Sequence, residues 1–134
     1  MSLMRTLRLI LFMALTAIAG CKNVGSRPPS DAEILVLKSK CKEAGQKTRL
    51  EWIVAYPQDI FANEPEYGYV QSLHTCVWID EYWGPPLKSR EHVKFVLDVF
   101  SNKIVIEYKE HDGRQSGALS EAEFNRRKVD LVSP

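Results

Sequence analysis

The stretch HVKFVLDVFSNKIVIEYKE, residues 92–110, decides the fold class. Its first nine residues alternate between two kinds of side chain, as a strand with one buried face does. The apolar positions are Val93, Phe95, Leu97 and Val99, and the polar positions of the opposite face are His92, Lys94 and Asp98. Ser101 and Asn102 then suit a tight turn. The sequence therefore predicts an antiparallel hairpin whose second strand is IVIEYKE, residues 104–110.

A further strand is predicted upstream of this hairpin. CVWIDEYW, residues 76–83, is rich in the aromatic and branched side chains that strands favour. It ends at Gly84, Pro85 and Pro86, because a proline has no amide with which to continue a ladder. Residues 111–117, HDGRQSG, contain turn formers and close the last strand. Three antiparallel strands are therefore expected.

A long helix is predicted before the strands. SDAE, residues 30–33, is a capping box, in which Ser30 and Glu33 each accept a hydrogen bond from the backbone amide of the other. Side chains then recur at steps of three or four along one helical stripe. They are Ile34, Leu37, Cys41, Ala44, Thr48, Trp52 and Ala55. Gly45 permits a break or kink, and Pro57 ends the helix.

A shorter helix is predicted at the carboxyl end. SEAE, residues 120–123, repeats the capping pattern, and residues 121–131 are long enough for about three turns. Residues 57–75 show no clean periodicity and are predicted to form a long loop. The order of elements predicts an α+β fold, in which a long N-terminal helix covers one face of a small antiparallel sheet of about three strands.

The first 20 residues have the three parts of a secretory signal. Arg5 and Arg8 give a cationic start, and LILFMALTAIAG, residues 9–20, carries no charge and ends in small residues. A helix that spans a bilayer needs about 20 apolar residues, whereas this run has 12. A cleaved signal is therefore predicted rather than a permanent span.

The residues at the predicted cleavage site are more specific. IAGC, residues 18–21, resembles the lipobox of bacterial lipoproteins. The resemblance covers residues 1–21 only, and it implies cleavage between Gly20 and Cys21 with a diacylglyceryl group on the Cys21 sulfur. In these lipoproteins an Asp after the cysteine favours the inner membrane. Lys22 stands there instead, which implies the outer membrane, facing the periplasm, if the source has two membranes. The alternative is an ordinary secretory signal followed by an unmodified cysteine.

The resemblance divides the chain into three parts. Residues 1–20 are the cleaved signal, residues 21–29 a lipidated tether, and residues 30–134 a single envelope domain. Cleavage leaves 114 of the 134 residues and a formal charge near −1. Such a chain has no basic field for nucleic acid. The expected partners are the membrane, through Cys21, and a protein or cell-wall component.

The other two cysteines are predicted to pair. Cys41 lies on the apolar stripe of the long helix, and Cys76 begins a strand. Exported thiols most often form disulfides, and closing a loop of about 36 residues would stabilise the fold by roughly 3–4 kcal/mol. Two separate buried thiols are the alternative, and a catalytic cysteine is a weaker one, because neither residue lies in a dithiol motif.

No cofactor, metal site or catalytic group is expected. The histidines are His74, His92 and His111. They do not pair at a helical metal-ligand spacing. Asp80 and Glu81 are neighbours on a predicted strand and should diverge, which indicates a solvated strand end rather than a catalytic pair. EHDG, residues 110–113, predicts a turn. The sequence contains neither a G-x-S-x-G elbow nor a glycine-rich phosphate loop.

Aromatic residues give the remaining functional signal. Five of them lie within 17 positions: Tyr67, Tyr69, Trp78, Tyr82 and Trp83. We interpret Trp78 as a core residue. Tyr82 and Trp83 lie at a strand end and are predicted to form a binding patch, with Tyr67 or Tyr69 from the long loop adding to it.

Two functional hypotheses follow from these patterns. The first is a non-catalytic, lipid-anchored envelope module that binds a protein or cell-wall partner, of which an inhibitor or immunity role is one form. The second is a small envelope hydrolase whose catalytic groups converge only in space. A deep pocket with convergent polar groups would favour the hydrolase, and an exposed aromatic surface would favour binding.

Overall fold

The computed structural model describes residues 27–84 and 90–133. In chain order its elements are helix α1 (Asp31–Ala55), strands β1 (Ile60–Phe61) and β2 (Glu66–Val70), a 3₁₀ turn (Gln71–Leu73), strands β3 (Thr75–Trp83), β4 (Glu91–Asp98), β5 (Lys103–His111) and β6 (Arg114–Gln115), and helix α2 (Glu121–Val132). The α+β class is confirmed. The predicted signal, Cys21 and the Pro85–Pro86 pair lie outside the described residues. No described helix has the length and apolarity of a membrane span.

The sheet has more strands than the three that the sequence predicts. In the described chain it contains six strands, all paired antiparallel, with β3 at its centre. β4, β5 and β6 follow on one side of β3, while β1 and β2 pair with successive parts of its other edge. Tyr67 and Tyr69 therefore lie on strand β2 rather than in a loop. The loop prediction was wrong because β1 and β2 are short, with two and five residues, and depend on pairing with β3.

Both faces of the sheet are covered, whereas the sequence predicted one. On the face toward α1, called the α1 face, the buried residues are Trp78, Val93, Phe95 and Leu97, with Trp52 of the helix packed against them. On the opposite face, called the α2 face, they are Val70, Val77, Ile79, Val96 and Tyr108, together with Phe124 of α2. Val96 interrupts the polar side of β4, and β3 is apolar at consecutive positions. That is the pattern of strands buried on both faces.

The β4–β5 hairpin is confirmed, with a turn that begins earlier than predicted. β4 ends at Asp98, whose carboxylate accepts hydrogen bonds from the amides of Phe100 and Ser101 and from the Thr75 hydroxyl. Asn102 closes the turn with a φ of 53°. The predicted turn at EHDG is also confirmed, because Asp112 and Gly113, both with positive φ, connect β5 to β6.

Helix α1 begins and ends as predicted. Both hydrogen bonds of the capping box are present, with Ser30 N donating to Glu33 Oε2 at 2.6 Å and Glu33 N donating to Ser30 Oγ at 3.4 Å. The bond from the Ser30 backbone lowers the pKa of Glu33. The helix runs to Ala55, two residues before Pro57.

The disulfide and one buried ion pair attach α1 to the sheet. The predicted Cys41–Cys76 bond is confirmed, with the Cα atoms 5.0 Å apart. Two turns further along the helix, Arg49 Nε lies 2.8 Å from Asp80 Oδ2. The Asp80 side chain is fully buried, so the expectation that Asp80 lies at a solvated strand end was wrong. Its charge is tolerated there because Arg49 neutralises it.

Gly45 does not break α1, which is continuous through it. The Tyr67 ring occupies the space where a side chain would stand. A Cβ at Gly45 would lie 2.2 Å from Tyr67 Cδ1. The role of Gly45 is therefore to allow strand β2 to approach the helix closely.

The Gly45→Ala variant is expected to be less stable by about 1–3 kcal/mol, measured by urea unfolding. Overpacking a fitted interface has this cost, and it outweighs the roughly 1 kcal/mol by which alanine is the better helix former. In a Tyr67→Ala background the same change should be neutral or stabilising, because the obstructing ring is gone. A Gly45→Ala variant that is more stable with Tyr67 in place would contradict this account.

Candidate binding surface

The four aromatic residues predicted as a binding patch are divided between the two faces of the sheet. Tyr67 and Tyr82 pack against the buried cluster of the α1 face. Tyr69 lies on the same face and its hydroxyl is 3.4 Å from His74 Nδ1. Trp83 points to the α2 face, because neighbours on a strand alternate. The four side chains therefore do not form one continuous surface.

Tyr82 belongs to the core rather than to the surface. Its ring centroid lies 5.8 Å from that of Phe61 and 6.2 Å from that of Phe95. Burial is the main cause that raises the pKa of Tyr82 to about 12, and nearby carboxylates such as Glu91 add to it. The hydroxyl therefore stays protonated at neutral pH, and the side chain serves packing.

Trp83 has a different environment. Its side chain is 39% exposed, yet its indole stacks on the imidazole of His92, with ring centroids 3.9 Å apart and planes 3° from parallel. His92 is buried, and its Nε2 lies 2.8 Å from Glu81 Oε2. Trp83 and His92 are cross-strand partners on β3 and β4, so the register of the sheet sets this stack. An exposed aromatic ring is thus held by a buried partner.

Glu81, the hydrogen-bond partner of His92, is held in place by its own cross-strand partner. Glu81 and Lys94 are cross-strand partners, and Lys94 Nζ lies 3.7 Å from Glu81 Oε2. Lys94 also bonds Glu121 in the first turn of α2. Partial burial alone would lower the pKa of Lys94, but Glu121 and Glu81 outweigh it and raise the pKa. The hydrogen bond from Lys94 lowers the pKa of Glu121. Lys94 therefore stays charged and ties the sheet to the start of α2.

Tyr108 and Glu110 of β5 form a hydrogen-bonded pair on the other side of His92. The Tyr108 ring meets the imidazole edge to face at 6.4 Å, and its hydroxyl donates to Glu110 Oε2 at 2.7 Å. This hydrogen bond, with burial second, raises the pKa of Tyr108 to about 12. Glu110 is itself the cross-strand partner of His92. The imidazole is thus enclosed by fixed groups.

An exposed apolar side chain continues the surface at the sheet edge. Ile60 of β1 is the cross-strand partner of Trp83 and is 54% exposed. Directly paired residues of an antiparallel sheet have their side chains on the same face. We call Ile60, Trp83 and His92 the Trp83 surface. On the same face of β3 and β4, the next cross-strand pair is Glu81 and Lys94, and helix α2 begins beside that pair.

A small cleft adjoins this surface. It has a volume of about 160 Å³ and lies between the β1–β2 connection and α2, with Glu81 and Lys94 in its wall. Sites for small molecules usually have about 300–1,000 Å³. Glu66 on its rim pairs with Lys128 at 3.2 Å. The cleft therefore suits a single inserted side chain better than a whole small-molecule substrate.

The Glu81–His92 pair has the composition of an acid–base pair but is poorly placed for catalysis. A general base must approach the proton it removes to about 2.6–3.2 Å. His92 Nε2 is already bonded to Glu81, one ring face is covered by Trp83, and the residue is buried. Within the described residues no three His, Cys, Asp or Glu side chains group as metal ligands. What this arrangement can do is hold an indole rigidly at the surface.

No family model, curated protein or solved structure matches this chain at a significant level.

Proposed function

We propose that this chain is a lipid-anchored bacterial cell-envelope protein whose folded domain is a non-catalytic binding module. The Trp83 surface is its contact site for a protein or cell-wall partner. The observation that supports this most directly is the stack of the exposed Trp83 indole on the buried His92 imidazole. The anchor is supported by the lipobox resemblance at residues 18–21.

Rigidity is the reason that Trp83 suits binding. Association loses the rotamer freedom of each side chain that becomes fixed, about 0.5–1.5 kcal/mol for a flexible one. The stack on His92 and the Glu81 hydrogen bond behind it hold the indole before any partner arrives. Tryptophan is also among the residues most enriched at binding hot spots. The neighbouring Ile60 extends the apolar contact area.

An inhibitor or immunity role fits this proposal, because it needs surface contact and no chemistry of its own. The Glu81–His92 pair does not suit a hydrolase, because its imidazole is enclosed. The proposed location is the envelope, on the outer membrane and facing the periplasm if the source has two membranes. This location follows from Lys22 after the lipidated cysteine.

The Trp83→Ala variant should lose partner capture from envelope extract by thirtyfold or more, about 2 kcal/mol of binding, as at a hot spot. Its melting temperature should change by only a few degrees, because the indole is partly exposed. Capture by immobilised protein and thermal unfolding would be measured on the same preparations.

Two control variants separate binding from folding. Phe100→Ala removes an aromatic ring that is 71% exposed in the β4–β5 turn, and it should leave capture intact. Trp78→Ala removes a fully buried ring and should lower stability by about 3–5 kcal/mol. Full capture by Trp83→Ala, or a melting temperature as low as that of Trp78→Ala, would rule out the Trp83 surface as the contact site.

A further inference from the structure

The first turns of α1 carry four consecutive apolar residues, of which the middle two are exposed and the outer two half-buried. Ile34, Leu35, Val36 and Leu37 are consecutive, with Leu35 71% and Val36 54% exposed. We call residues 34–37 the apolar block. No residue from 31 to 40 is buried, and burial along α1 begins at Cys41. The block therefore precedes the part of the helix that is fully buried against the sheet.

Two contacts establish where the apolar block lies. Cys41 is bonded to Cys76 at the start of β3, and Arg49 pairs with Asp80 further along the same strand. Helix and strand therefore run in the same direction, and the residues before Cys41 extend past the start of β3. At about 1.5 Å per residue, the block lies roughly 6–10 Å along the helix beyond the disulfide.

The Trp83 surface lies at the opposite end of the sheet. Trp83 is seven residue steps from Cys76 on β3, which at about 3.3 Å each is roughly 23 Å. The β4–β5 turn is at the disulfide end, because the Val99 amide donates to the Cys76 carbonyl. Phe100 in this turn is 71% exposed. Exposed apolar side chains of two elements, α1 and the β4–β5 turn, therefore lie at the disulfide end.

We propose that the apolar block rests in the lipid surface to which Cys21 is anchored. The domain then stands with its disulfide end toward the membrane and presents the Trp83 surface away from it. This inference rests on the proposed lipid anchor. Asp31, the first residue of α1, is ten residue steps from Cys21, and these steps span at most about 35 Å. The anchor therefore keeps the start of α1 near the bilayer.

The charges around the block suit anionic lipid headgroups. Between positions 27 and 42 the cations are Arg27, Lys38, Lys40 and Lys42. The same segment contains two carboxylates, Asp31 and Glu33, so its formal charge is +2. The predicted mature chain as a whole is near −1. Basic residues beside an apolar segment strengthen attachment to an anionic membrane surface.

The arrangement of the block favours lipid over a second copy of the chain. Successive helical residues are about 100° apart, so residues 34–37 point in four directions around the helix axis. A helix–helix seam needs apolar residues on one stripe at heptad spacing. A lipid phase, in contrast, accepts apolar side chains from every direction. Asp31 and Glu33 precede the block, so the side chains of Leu35 and Val36, rather than the tip of the helix, reach the lipid surface.

Tryptophan scanning of the lipidated, full-length protein tests this orientation. The protein is reconstituted in vesicles of phosphatidylethanolamine and phosphatidylglycerol whose acyl chains are brominated near the headgroup. Leu35→Trp places a fluorophore in the block, and Leu50→Trp is the matched control on the same helix, 64% exposed. The two positions are 15 residues apart, about 22 Å along the helix. The emission added by Leu35→Trp should be mostly quenched, and that added by Leu50→Trp should match its value in unbrominated vesicles.

The outcomes separate the orientation from the anchor. Failure of the wild-type protein to float with the vesicles, or palmitate-analogue labelling that persists in Cys21→Ser, would overturn the anchor and this inference with it. Normal flotation with no quenching of Leu35→Trp would overturn the orientation alone. Equal quenching at both positions would mean that α1 lies flat on the membrane. Unquenched Leu35→Trp together with a dimer that Leu35→Gln disrupts would assign the block to a second copy. Either result contradicts the upright orientation.

Discussion

Replacing Arg49 by alanine is expected to lower the free energy of unfolding by about 3–5 kcal/mol, the usual loss when one partner of a buried ion pair is removed. Arg49 Nε lies 2.8 Å from Asp80 Oδ2, and the Asp80 side chain has no exposed surface. The variant would leave a carboxylate in the interior without its countercharge. Urea unfolding at neutral pH would measure the loss.

The remaining partners of Asp80 cannot replace the guanidinium. Trp78 Nε1 donates to Asp80 Oδ2 at 3.1 Å and the Glu81 amide to Oδ1 at 2.9 Å. These donors are neutral, so they orient the carboxylate but do not cancel its charge. Arg49 also lies over the Phe61 ring, 5.1 Å from its centroid, and alanine loses this contact as well.

Two further variants make the result specific. Lys47→Ala removes the exposed pair with Glu51 on the same helix, 3.9 Å long, and should cost less than about 1 kcal/mol. Adding Asp80→Asn to Arg49→Ala removes the unpaired charge and should recover part of the lost stability. If Arg49→Ala were no less stable than Lys47→Ala, the ion pair would not be what holds α1 to the sheet.

The features predicted correctly from the sequence are mostly local ones. The start of α1 follows from the four residues of its capping box, and the β4–β5 hairpin follows from alternation next to a turn. The second capping motif, SEAE at residues 120–123, was predicted only in part. Ser120 caps α2 as predicted, accepting from the Glu123 amide at 3.2 Å. The Glu123 side chain instead bonds Arg126 and Arg127, which lower its pKa to about 2.

The features that were missed depend on contacts between distant parts of the chain. β1 and β2 have little strand pattern of their own and form because β3 offers an edge to both. Asp80 is buried because Arg49, 31 residues earlier, reaches it. Neither relation can be deduced from a window of neighbouring residues. The position of α2 in the sequence was predicted correctly. Its packing on the α2 face of the sheet was not predicted.

Only part of the candidate site could be predicted from the sequence. Strand alternation, which indicated that Asp80 and Glu81 diverge, applies equally to Tyr82 and Trp83 and would have separated the core residue from the exposed one. The stack of Trp83 on His92 needs the register between β3 and β4. That register spans the connection between Trp83 and Glu91, and nothing in the sequence of this connection specifies it. Glu81, His92 and Trp83 therefore could not be recognised as one unit.

Removing the Cys41–Cys76 bond is expected to have an effect as large as the loss of Arg49. In the chain-entropy model, a bond that joins residues 35 apart stabilises the folded state by roughly 4 kcal/mol, because the unfolded chain keeps a closed loop. The Cys41→Ser and Cys76→Ser double variant should lose this amount in urea unfolding. The wild-type protein should lose the same amount after reduction, since both treatments open the same loop.

The bond also has a local effect that the entropy of the unfolded chain does not describe. Cys41 is the first buried residue of α1, and the residues of the helix before it are exposed or half-buried. With the bond broken, the packing of Tyr67 on Gly45 and the ion pair of Arg49 become the next attachments of α1. Amides between residues 34 and 45 should then exchange hydrogen faster than they do in the bonded protein. In the same sample they should also exchange faster than the amides of β4. Cys21→Ser, which removes the thiol proposed to carry the lipid and leaves the bond, should unfold like the wild-type domain. Two reactive thiols at positions 41 and 76 in unfolded, unreduced protein, or an unfolding midpoint unchanged by reduction, would show that α1 is held by packing and the Arg49 ion pair alone.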